Sequence, residues 1–207
     1  MDLELVELDT TRAKALHRRF HYLRSYRSGV HLAGISDGHV AVLLSFSTLD
    51  IEAIRARLPL PGRGERAMVL SRVYAAPWAP RNSLSRLLSL ATRRLCERDP
   101  ELGSLLTYVN PGLGFNGASY RAANWRLFGR ELSTRYAYLD GHYITDRELS
   151  RRFGTSAHAE LARLLDTRVE FSRMPLPPLD LYAFATERRL RAKLAQMAPR
   201  RWQRPWA

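Results

Sequence analysis

The side chains best suited to chemistry lie between residues 70 and 129. Tyr120 falls about one turn into a short predicted helix, where its phenol can donate a proton to a departing group. The turn Pro77–Ser83 precedes an amphipathic helix, whose first turn carries unpaired backbone N–H groups and the positive end of the helix dipole. With Arg81 beside it, this turn can hold a pyrophosphate. The pattern indicates a proton donor near an anion site; a core tyrosine beside an ordinary strand–helix junction is the alternative.

A strand–helix–strand unit must position these two places. The apolar runs Met68–Ala75 and Leu105–Val109 predict buried strands. Asn82 or Ser83 can cap the helix between the strands, and Asn116 can cap the short helix after the second strand. The arrangement is typical of an α/β fold.

The rest of the chain predicts short strands and helices around this unit. An alternating run predicts a strand at Leu3–Leu8, and helical spacing predicts a helix from about Thr10 to Leu23. Asp-Gly pairs at residues 37–38 and 140–141 are typical of type I′ hairpin turns, which need positive φ at both positions. The remaining predictions are a helix at Ile51–Leu58, two short helices between Thr145 and Leu165, a strand at Leu181–Ala185, a basic helix from about Glu187 to Met197, and an arginine- and tryptophan-rich tail from Pro199.

We expect one domain, because 207 residues with 45% hydrophobic composition can bury one sizeable core. Residues 1–145 are predicted to form that core, and residues 146–207 to form an extension packed on the same domain. The two short helices of the extension are joined by a Gly-containing turn, as in a helix-turn-helix that enters the major groove of DNA. Packing of this helix pair against the core is the alternative.

The composition is strongly basic. Lys and Arg number 33 against 20 Asp and Glu, which gives a net charge of +13, and only Lys14 and Lys193 are lysines. Arginine binds phosphate through two parallel hydrogen bonds and stacks on bases, so a nucleic-acid partner is expected. Arginine-rich coding in a GC-rich genome is the alternative.

Several classes of function are poorly supported. A single cysteine, Cys96, excludes an internal disulfide and a cysteine-built metal site, and no metal-ligand cluster or P-loop motif is visible, so we predict no metal. No apolar run approaches the roughly 18 residues of a membrane span, and the acidic N-terminus does not resemble a signal peptide. These features predict a soluble protein of the cytoplasm, without a membrane partner.

Two motifs resemble the GNAT acyltransferase superfamily. They are the end of the GNAT core, at Asn116, Ala118, Tyr120, Asn124, Trp125 and Gly129, and the acyl-CoA pyrophosphate loop, at Val73, Pro77, Arg81, Ser83, Leu84, Ser85, Leu87 and Leu88. Serine stands at positions 83 and 85, where glycine is usual, and serine restricts the backbone more than glycine does. The resemblance implies an α/β fold with a GNAT-like mixed central sheet flanked by helices, and acetyl-CoA or another acyl-CoA as the donor.

A narrower set of residues resembles the Mom family of phage-encoded DNA adenine-modification proteins. The resemblance runs from about residue 21 to the end of the chain and is most specific between Pro80 and Trp125. It includes His21-Tyr22, Pro80–Ser85, the spaced run from Tyr108 to Trp125, Arg147–Thr155, the strand near Tyr182 and Arg188–Arg191. Membership implies transfer of a group from a thioester or related donor to the exocyclic amine of adenine in double-stranded DNA, in the cytoplasm of a bacterial host cell.

The resemblance also implies roles for individual residues. The backbone of Ser71–Tyr74 would polarise a thioester carbonyl, and Tyr120 would protonate the departing thiolate. For the side chains of Ser71 and Arg72, an outward-facing position without a catalytic role is the alternative. The candidate catalytic residues are Tyr120, Asn110, Ser71 and Arg72; the candidate donor-binding residues are Val73, Tyr74, Arg81, Asn82, Ser83, Ser85 and Asn116; the candidate nucleic-acid-binding residues are His21, Tyr22, Arg24, Arg27, Arg121, Arg201, Trp202 and Arg204.

Two positions depart from the Mom pattern. Asn110 stands where that family has aspartate, and Phe115 stands where it has histidine. Asparagine cannot act as a carboxylate base, so another residue compensates, the substrate differs, or the activity is weak. The alternative functions are a GNAT-like acyltransferase acting on a small molecule, a protein or an aminoacyl-tRNA, and a DNA-binding relative without catalysis.

Overall fold

The computed structural model describes residues 3–49, 66–132, 135–144, 146–155, 157–165, 169–175 and 178–203. The helix predicted at Ile51–Leu58 and the candidate DNA contact Arg204 lie outside these residues. The strands are β1 Glu4–Glu7, β2 Val30–Ser36, β3 His39–Thr48, β4 Arg66–Ala75, β5 Leu102–Val109, β6 Arg126–Leu132, β7 Arg135–Leu139, β8 His142–Ile144, β9 Val169–Pro175, β10 Leu179–Ala185 and β11 Arg200–Gln203. The α-helices are α1 Thr10–Phe20, α2 Ser83–Arg98, α3 Ala118–Ala122, α4 Asp146–Phe153, α5 His158–Leu165 and α6 Arg188–Gln196, and a 3₁₀-helix spans Pro111–Leu113.

The described strands form two sheets. The larger sheet has eight strands in the order β1-β2-β3-β4-β5-β10-β6-β11, and the smaller has the order β8-β7-β9. Strands β1 to β4 are antiparallel neighbours, whereas β4 pairs with β5 and β6 pairs with β11 in parallel. The predicted α/β fold with a mixed central sheet flanked by helices is therefore confirmed.

Both Asp-Gly hairpins are confirmed. The φ values are 50° and 75° at Asp37 and Gly38, and 50° and 76° at Asp140 and Gly141. Positive φ at both central residues is the requirement of the type I′ turn, which matches the twist of the flanking strands. These turns join β2 to β3 and β7 to β8.

Two elements differ from the sequence prediction. Helix α1 ends at Phe20 rather than near Leu23, because His21 is extended and only its backbone N–H still bonds back, to the His17 carbonyl. The arginine- and tryptophan-rich C-terminal segment contains strand β11, which the sequence did not predict and which runs parallel to β6. Alternating arginine and tryptophan in so short a segment gives no clear period-2 signal.

By compactness the chain divides into two units. The first comprises Met1–Tyr108, Gly117–Phe128 and Leu181–Ala198, and the second comprises Val109–Asn116, Gly129–Asp180 and Pro199–Ala207. The predicted boundary at residue 145 stays a prediction, since compactness does not test which segments fold together.

Each unit has its own apolar cluster. In the first unit, helix α2 buries Leu87, Leu88, Ala91 and Leu95, as its apolar stripe predicted, and Trp125 and Tyr182 are the largest of the fully buried side chains described. In the second unit, the smaller sheet and the predicted helix pair meet at Ala137, Ile144, Leu149 and Leu161, with Phe153 and Phe171 packed against them. The helix pair thus buries Leu149 and Leu161 within its own unit, whereas Leu164 is exposed.

Gly117 and Gly114 provide a test of how tightly α3 is held. Both have left-handed backbones, with φ of 70° and 80°, but an added Cβ at Gly117 would overlap the buried Tyr182 ring, whereas one at Gly114 would meet nothing within 4 Å. Gly114→Ala should therefore lower the free energy of unfolding by about 1–2 kcal/mol, the cost of left-handed backbone for a residue with a Cβ. Gly117→Ala should cost more, because the Tyr182 ring must also move. Urea denaturation of both variants measures this, and equal losses would contradict the close packing of Gly117 on Tyr182.

Candidate active site

A β-bulge in β4 marks the centre of the candidate site. Ser45 of β3 lies opposite Arg72 of β4, and the next residue, Phe46, lies opposite Leu70. Ser71 is therefore the extra residue of the bulge, without an opposite partner in the ladder. A bulged residue is left out of regular ladder pairing, which makes the Ser71 backbone amide the candidate group for binding an oxygen atom.

On its other side, β4 separates from β5 near the same point. The parallel pairing runs from Arg66 opposite Leu102 to Val69 opposite Leu106, and no later pair of these two strands occurs in the described residues. Thr107 closes the start of the separation by donating from Oγ1 to the Leu70 carbonyl at 3.0 Å. Beyond this point β4 keeps β3 as its neighbour and has no further β5 pair among the described residues.

Tyr120 stands at this separation. Its phenol is hydrogen-bonded to Thr107, and burial raises the pKa of Tyr120 to about 12, with the Thr107 bond offsetting part of the rise and the nearby Tyr22 phenol adding to it. The ring lies 5.7 Å from the Trp125 ring and 5.6 Å from the Tyr182 ring, measured between centroids. Tyr120 is therefore a fixed phenol that keeps its proton at neutral pH, as a general acid requires.

A row of polar residues crosses the sheet beside the bulge. His31 of β2, Ser45 of β3 and Arg72 of β4 are directly opposite one another on three adjacent strands, and His17 of α1 covers them. Ser45 Oγ lies 2.6 Å from His17 Nε2 and 2.7 Å from His31 Nδ1. His17 and Ser45 are fully buried, and His31 is 2% exposed.

Burial keeps the histidines of this region neutral. It lowers the pKa of His17 to about 4, with smaller contributions from His21, His31 and Arg72. It likewise lowers the pKa of His21 to about 4, with Arg72 adding to the effect. His17 shares the buried stripe of α1 with Ala13, and a neutral buried imidazole avoids the cost of desolvating a charge.

Arg72 connects the bulge to the loop after α1. Its Nη1 donates to the Ser71 carbonyl at 2.6 Å, while Nη2 donates to Ser25 Oγ at 2.8 Å and Nε to the Ser25 carbonyl at 3.2 Å. Burial and the nearby Arg27 guanidinium lower the pKa of Arg72. The outward-facing alternative for Arg72 is thus excluded, because its guanidinium is partly buried and bonded within the protein.

The same loop carries the candidate DNA contacts. His21 is buried, and its Nδ1 accepts from the Leu23 N–H at 3.1 Å. Tyr22 is 56% exposed and stacks on the His21 ring with 4.5 Å between centroids. Arg24 is exposed and has a left-handed backbone, with φ of 46°. The predicted contact of these residues and of Arg27 with nucleic acid stays a prediction; Tyr22 and Arg24 are exposed.

The turn that was predicted to bind an anion lies at the start of α2. Asn82 occupies the N-cap position with φ of 65° but makes no side-chain cap bond, and the Ser83 hydroxyl instead donates to the Pro80 carbonyl at 2.6 Å. Ser85 donates to the Asn82 carbonyl at 3.0 Å, so both serine hydroxyls serve the turn itself. A cavity of about 230 Å³ opens here, lined by Leu3, Ser36, Pro80, Arg81, Asn82, Ser83 and Arg86.

Other predicted residues serve local structure. Asn110 Oδ1 accepts from the Gly112 N–H at 2.9 Å, which closes a turn. Asn116 was predicted to cap α3, which is wrong: Gly117 is the N-cap, since its left-handed backbone suits glycine. Arg121 donates to the Tyr182 hydroxyl at 2.8 Å.

The remaining candidates lie on strands. Val73 and Tyr74 are half-buried on β4, and Tyr74 stacks on Phe20 of α1 at 5.4 Å. Arg201 is exposed on β11 in the second unit. Trp202 belongs to the same strand, so the predicted nucleic-acid role of both residues stays a prediction.

Sequence reasoning missed Ser25, Tyr26, His31, Ser45 and Thr107. Each is a polar residue in or beside an apolar strand, or in a loop without a motif, so neither periodicity nor spacing singles it out. The helical position of His17, four residues after Ala13, was the one available signal.

Groups outside the site provide no second candidate centre. Within the described ranges, no cluster of three or more His, Cys, Asp or Glu is placed to hold a metal ion, and no helix has the length and apolar character needed to cross a membrane. Cys96 is a partly buried free thiol, and burial raises its pKa. A high pKa leaves the thiol protonated and unreactive.

The neutral histidines predict a pH dependence of stability. Because His17 and His21 have pKa values of about 4 when folded and about 6.5 when unfolded, the unfolded chain takes up the extra protons between these values. The free energy of unfolding should therefore be highest above pH 6.5 and should fall as the pH approaches 4. The loss should be on the order of 3 kcal/mol for His17 alone. Urea denaturation at a series of pH values measures the slope. The double variant His17→Gln/His21→Gln should flatten it, the exposed-histidine control His39→Gln should not, and a wild-type slope of zero would contradict the burial.

Comparison with solved structures identifies the fold. Solved structures with the same fold include a Drosophila melanogaster polyamine N-acetyltransferase, at 7% identity and a TM-score of 0.51 over 89% of this chain and 100% of that one. They also include Arabidopsis thaliana NAA60 in complex with acetyl-CoA, at 12% identity and a TM-score of 0.51 over 89% and 99%, and an N-acetyltransferase from Staphylococcus aureus Mu50, at 9% identity and a TM-score of 0.50 over 89% and 98%. The fold is therefore GNAT-like.

Sequence comparison is more specific about ancestry. No curated protein matches the chain. The model of the Mom protein family matches residues 2–194, which confirms the resemblance seen in the motifs. The chain belongs to the Mom protein family.

Proposed function

We propose that this protein transfers an acyl or related group from a thioester donor to the exocyclic amine of adenine in double-stranded DNA, in the cytoplasm of a bacterial host. The observation that carries the proposal is the placement of two groups where β4 leaves β5. The bulged Ser71 amide can bind a carbonyl oxygen, and the Tyr120 phenol can supply a proton. An acyl-transfer site needs both of these functions.

The residues of the anion turn fit an acyl-CoA. The cavity at the start of α2 has the guanidinium groups of Arg81 and Arg86 in its lining, and the first turn of the helix adds backbone N–H groups and a positive dipole end. Arg81 and Asn82 would hold the pyrophosphate, with Arg86 beside them, whereas both Ser83 donors are bonded to the Pro80 carbonyl. NAA60, which shares the fold, is known in complex with acetyl-CoA. An acyl-CoA would supply the thioester carbon that the amine attacks.

The protein groups then have separate tasks in the transfer. The Ser71 N–H would stabilise negative charge that develops on the carbonyl oxygen. The C–S bond breaks as the C–N bond forms, and Tyr120 Oη would give its proton to the departing sulfur. The amine loses one proton as it forms the new bond. Because Asn110 cannot take this proton as a carboxylate would, the proton would pass through water to the Tyr120 phenolate and restore the phenol.

DNA as the acceptor is supported by charge and by family. The net charge of +13 favours a polyanionic partner, and exposed Tyr22 and Arg24 lie on the loop that bonds to Arg72. An adenine amine in a duplex is reached only when the base is extruded, and an exposed tyrosine can stack on such a base.

Removing the Tyr120 hydroxyl tests the proposal. Tyr120→Phe should lower turnover by about 10²- to 10⁴-fold, the usual contribution of a general acid, while the ring contacts keep the fold intact. Mass spectrometry of nucleosides from the DNA of expressing cells measures the product. A modified adenosine should be present with wild-type protein and with the control Tyr138→Phe, a partly buried tyrosine of β7, and nearly absent with Tyr120→Phe.

The outcomes separate the alternative functions. Unmodified DNA together with tight DNA binding would favour a non-catalytic relative. Unmodified DNA together with acylation of small amines, proteins or aminoacyl-tRNA would move the acceptor to another class. Full modification by Tyr120→Phe would exclude Tyr120 as the proton donor.

Donor binding provides an independent test. Arg81→Ala/Arg86→Ala should weaken the binding of coenzyme A by at least about tenfold, since each guanidinium contributes charge-assisted hydrogen bonds worth about 1.5–3 kcal/mol. Isothermal titration calorimetry with coenzyme A measures this. Arg93→Ala is the matched control, because Arg93 is exposed on the same helix and does not line the cavity. Equal binding by all three proteins would place the donor elsewhere.

A further inference from the structure

The buried chain His17–Ser45–His31 is a feature that the proposed reaction does not yet use. Ser45 Oγ is held from two sides, by His17 Nε2 at 2.6 Å and by His31 Nδ1 at 2.7 Å. The Tyr26 hydroxyl continues the chain, 3.3 Å from His31 Nε2. Polar groups buried this deeply are costly to desolvate unless every hydrogen bond is made, so the chain calls for a functional explanation.

The number of available hydrogens decides which group donates and which accepts in each of these hydrogen bonds. Ser45 has one hydroxyl hydrogen, and the two imidazoles are its only acceptors among the described side chains, so one imidazole accepts and the other donates. His17 Nδ1 is buried without a partner in the described residues. An unpaired N–H costs more than an unpaired lone pair. His17 therefore carries its hydrogen on Nε2 and donates to Ser45, and Ser45 donates to His31 Nδ1.

This series of hydrogen-bonded side chains ends at the β-bulge in β4. Ser71 Oγ donates to the Ser45 carbonyl at 3.0 Å, and the Arg72 guanidinium holds the Ser71 carbonyl from the next residue. The Ser71 side chain is thus bonded to Ser45, the residue whose hydroxyl the two imidazoles hold, and the Ser71 carbonyl is bonded to Arg72. The Arg72 bond restrains the peptide plane after Ser71. The peptide plane before Ser71, which carries the Ser71 N–H, is restrained by the Thr107 bond to the Leu70 carbonyl, and the side-chain bond to Ser45 anchors the residue between the two planes.

We propose that His17, Ser45 and His31 are positioning residues for the Ser71 amide, and that the buried clamp on Ser45 sets the direction in which this amide points. The inference rests on the proposed function, in which the amide binds the carbonyl oxygen of the donor. An oxyanion donor is effective only when it is aimed before the reaction begins, and a misplacement of about 1 Å costs roughly 100-fold in rate.

The test compares two buried serines of the same strand. Ser45→Ala removes the clamped hydroxyl, whereas Ser47→Ala removes a buried hydroxyl that has no partner in the described residues. Ser45→Ala should lower kcat about 10- to 100-fold and leave the KM for coenzyme A thioester and for DNA within about twofold. Ser47→Ala should match wild type in both parameters. Equal kcat for the two variants would overturn the proposal.

A spectroscopic readout keeps the test independent of turnover. The Ser71 amide cross-peak in a ¹⁵N–¹H correlation spectrum should shift or broaden in Ser45→Ala and stay in place in Ser47→Ala. The imidazole spectra of wild type should show hydrogen on Nε2 of His17 and of His31. A Ser71 amide that is unmoved in Ser45→Ala, or a hydrogen on His17 Nδ1, would overturn the clamp even if the protein transfers a group as proposed.

A milder variant covers the case in which Ser45→Ala does not fold. Ser71→Ala breaks only the bond to the Ser45 carbonyl, at a half-buried position, and should give a smaller loss of kcat with the same unchanged KM. Wild-type kcat in Ser71→Ala would overturn the proposal. If wild-type protein modifies neither DNA nor any other amine, the proposed function fails, and the movement of the Ser71 amide alone decides the positioning role.

Discussion

The structure depends on one irregularity in backbone pairing, the bulge that leaves Ser71 without an opposite residue. A backbone amide can serve a ligand only if neither neighbouring strand uses it, so β4 must be irregular towards β3 and separate from β5 at the same place. Thr107 ends the β4–β5 pairing by bonding to the Leu70 carbonyl, and Arg72 holds the Ser71 carbonyl. Side chains thus replace the ladder bonds that the bulge gives up.

Neutral buried polar groups stabilise the sheet beside this bulge. An ion pair under the sheet would require two charges to be desolvated, whereas imidazoles whose pKa values fall to about 4 need only their hydrogen bonds. The charged residues of α1 lie on its other face, where Arg18 and Arg19 are exposed. One short helix therefore presents a neutral face to the core and a cationic face to solvent.

The sequence predicted the features that depend on local pattern and missed those that depend on tertiary contacts. The Asp-Gly turns and the apolar stripe of α2 were predicted because turn chemistry and periodicity are properties of neighbouring residues. The mixed sheet was predicted through the resemblance to the GNAT superfamily, and Tyr120 and the anion turn were singled out through motifs. The buried pair His17 and Ser45 was missed, because the two residues are 28 apart in the chain. The bulge at Ser71 has no signature in sequence, since it exists only as an offset between two strands.

The order of strands has a consequence for how this chain reaches its native state. β10 lies between β5 and β6, although β5 and β6 are close to each other in sequence and β10 comes about fifty residues later. During synthesis the edge of β5 has no permanent neighbour until residues 179–185 are available. Sheets closed by such distant segments fold slowly, and an open apolar edge invites association with other chains. The segment from β6 to β10 must therefore be made and kept from mispairing before the central sheet is complete.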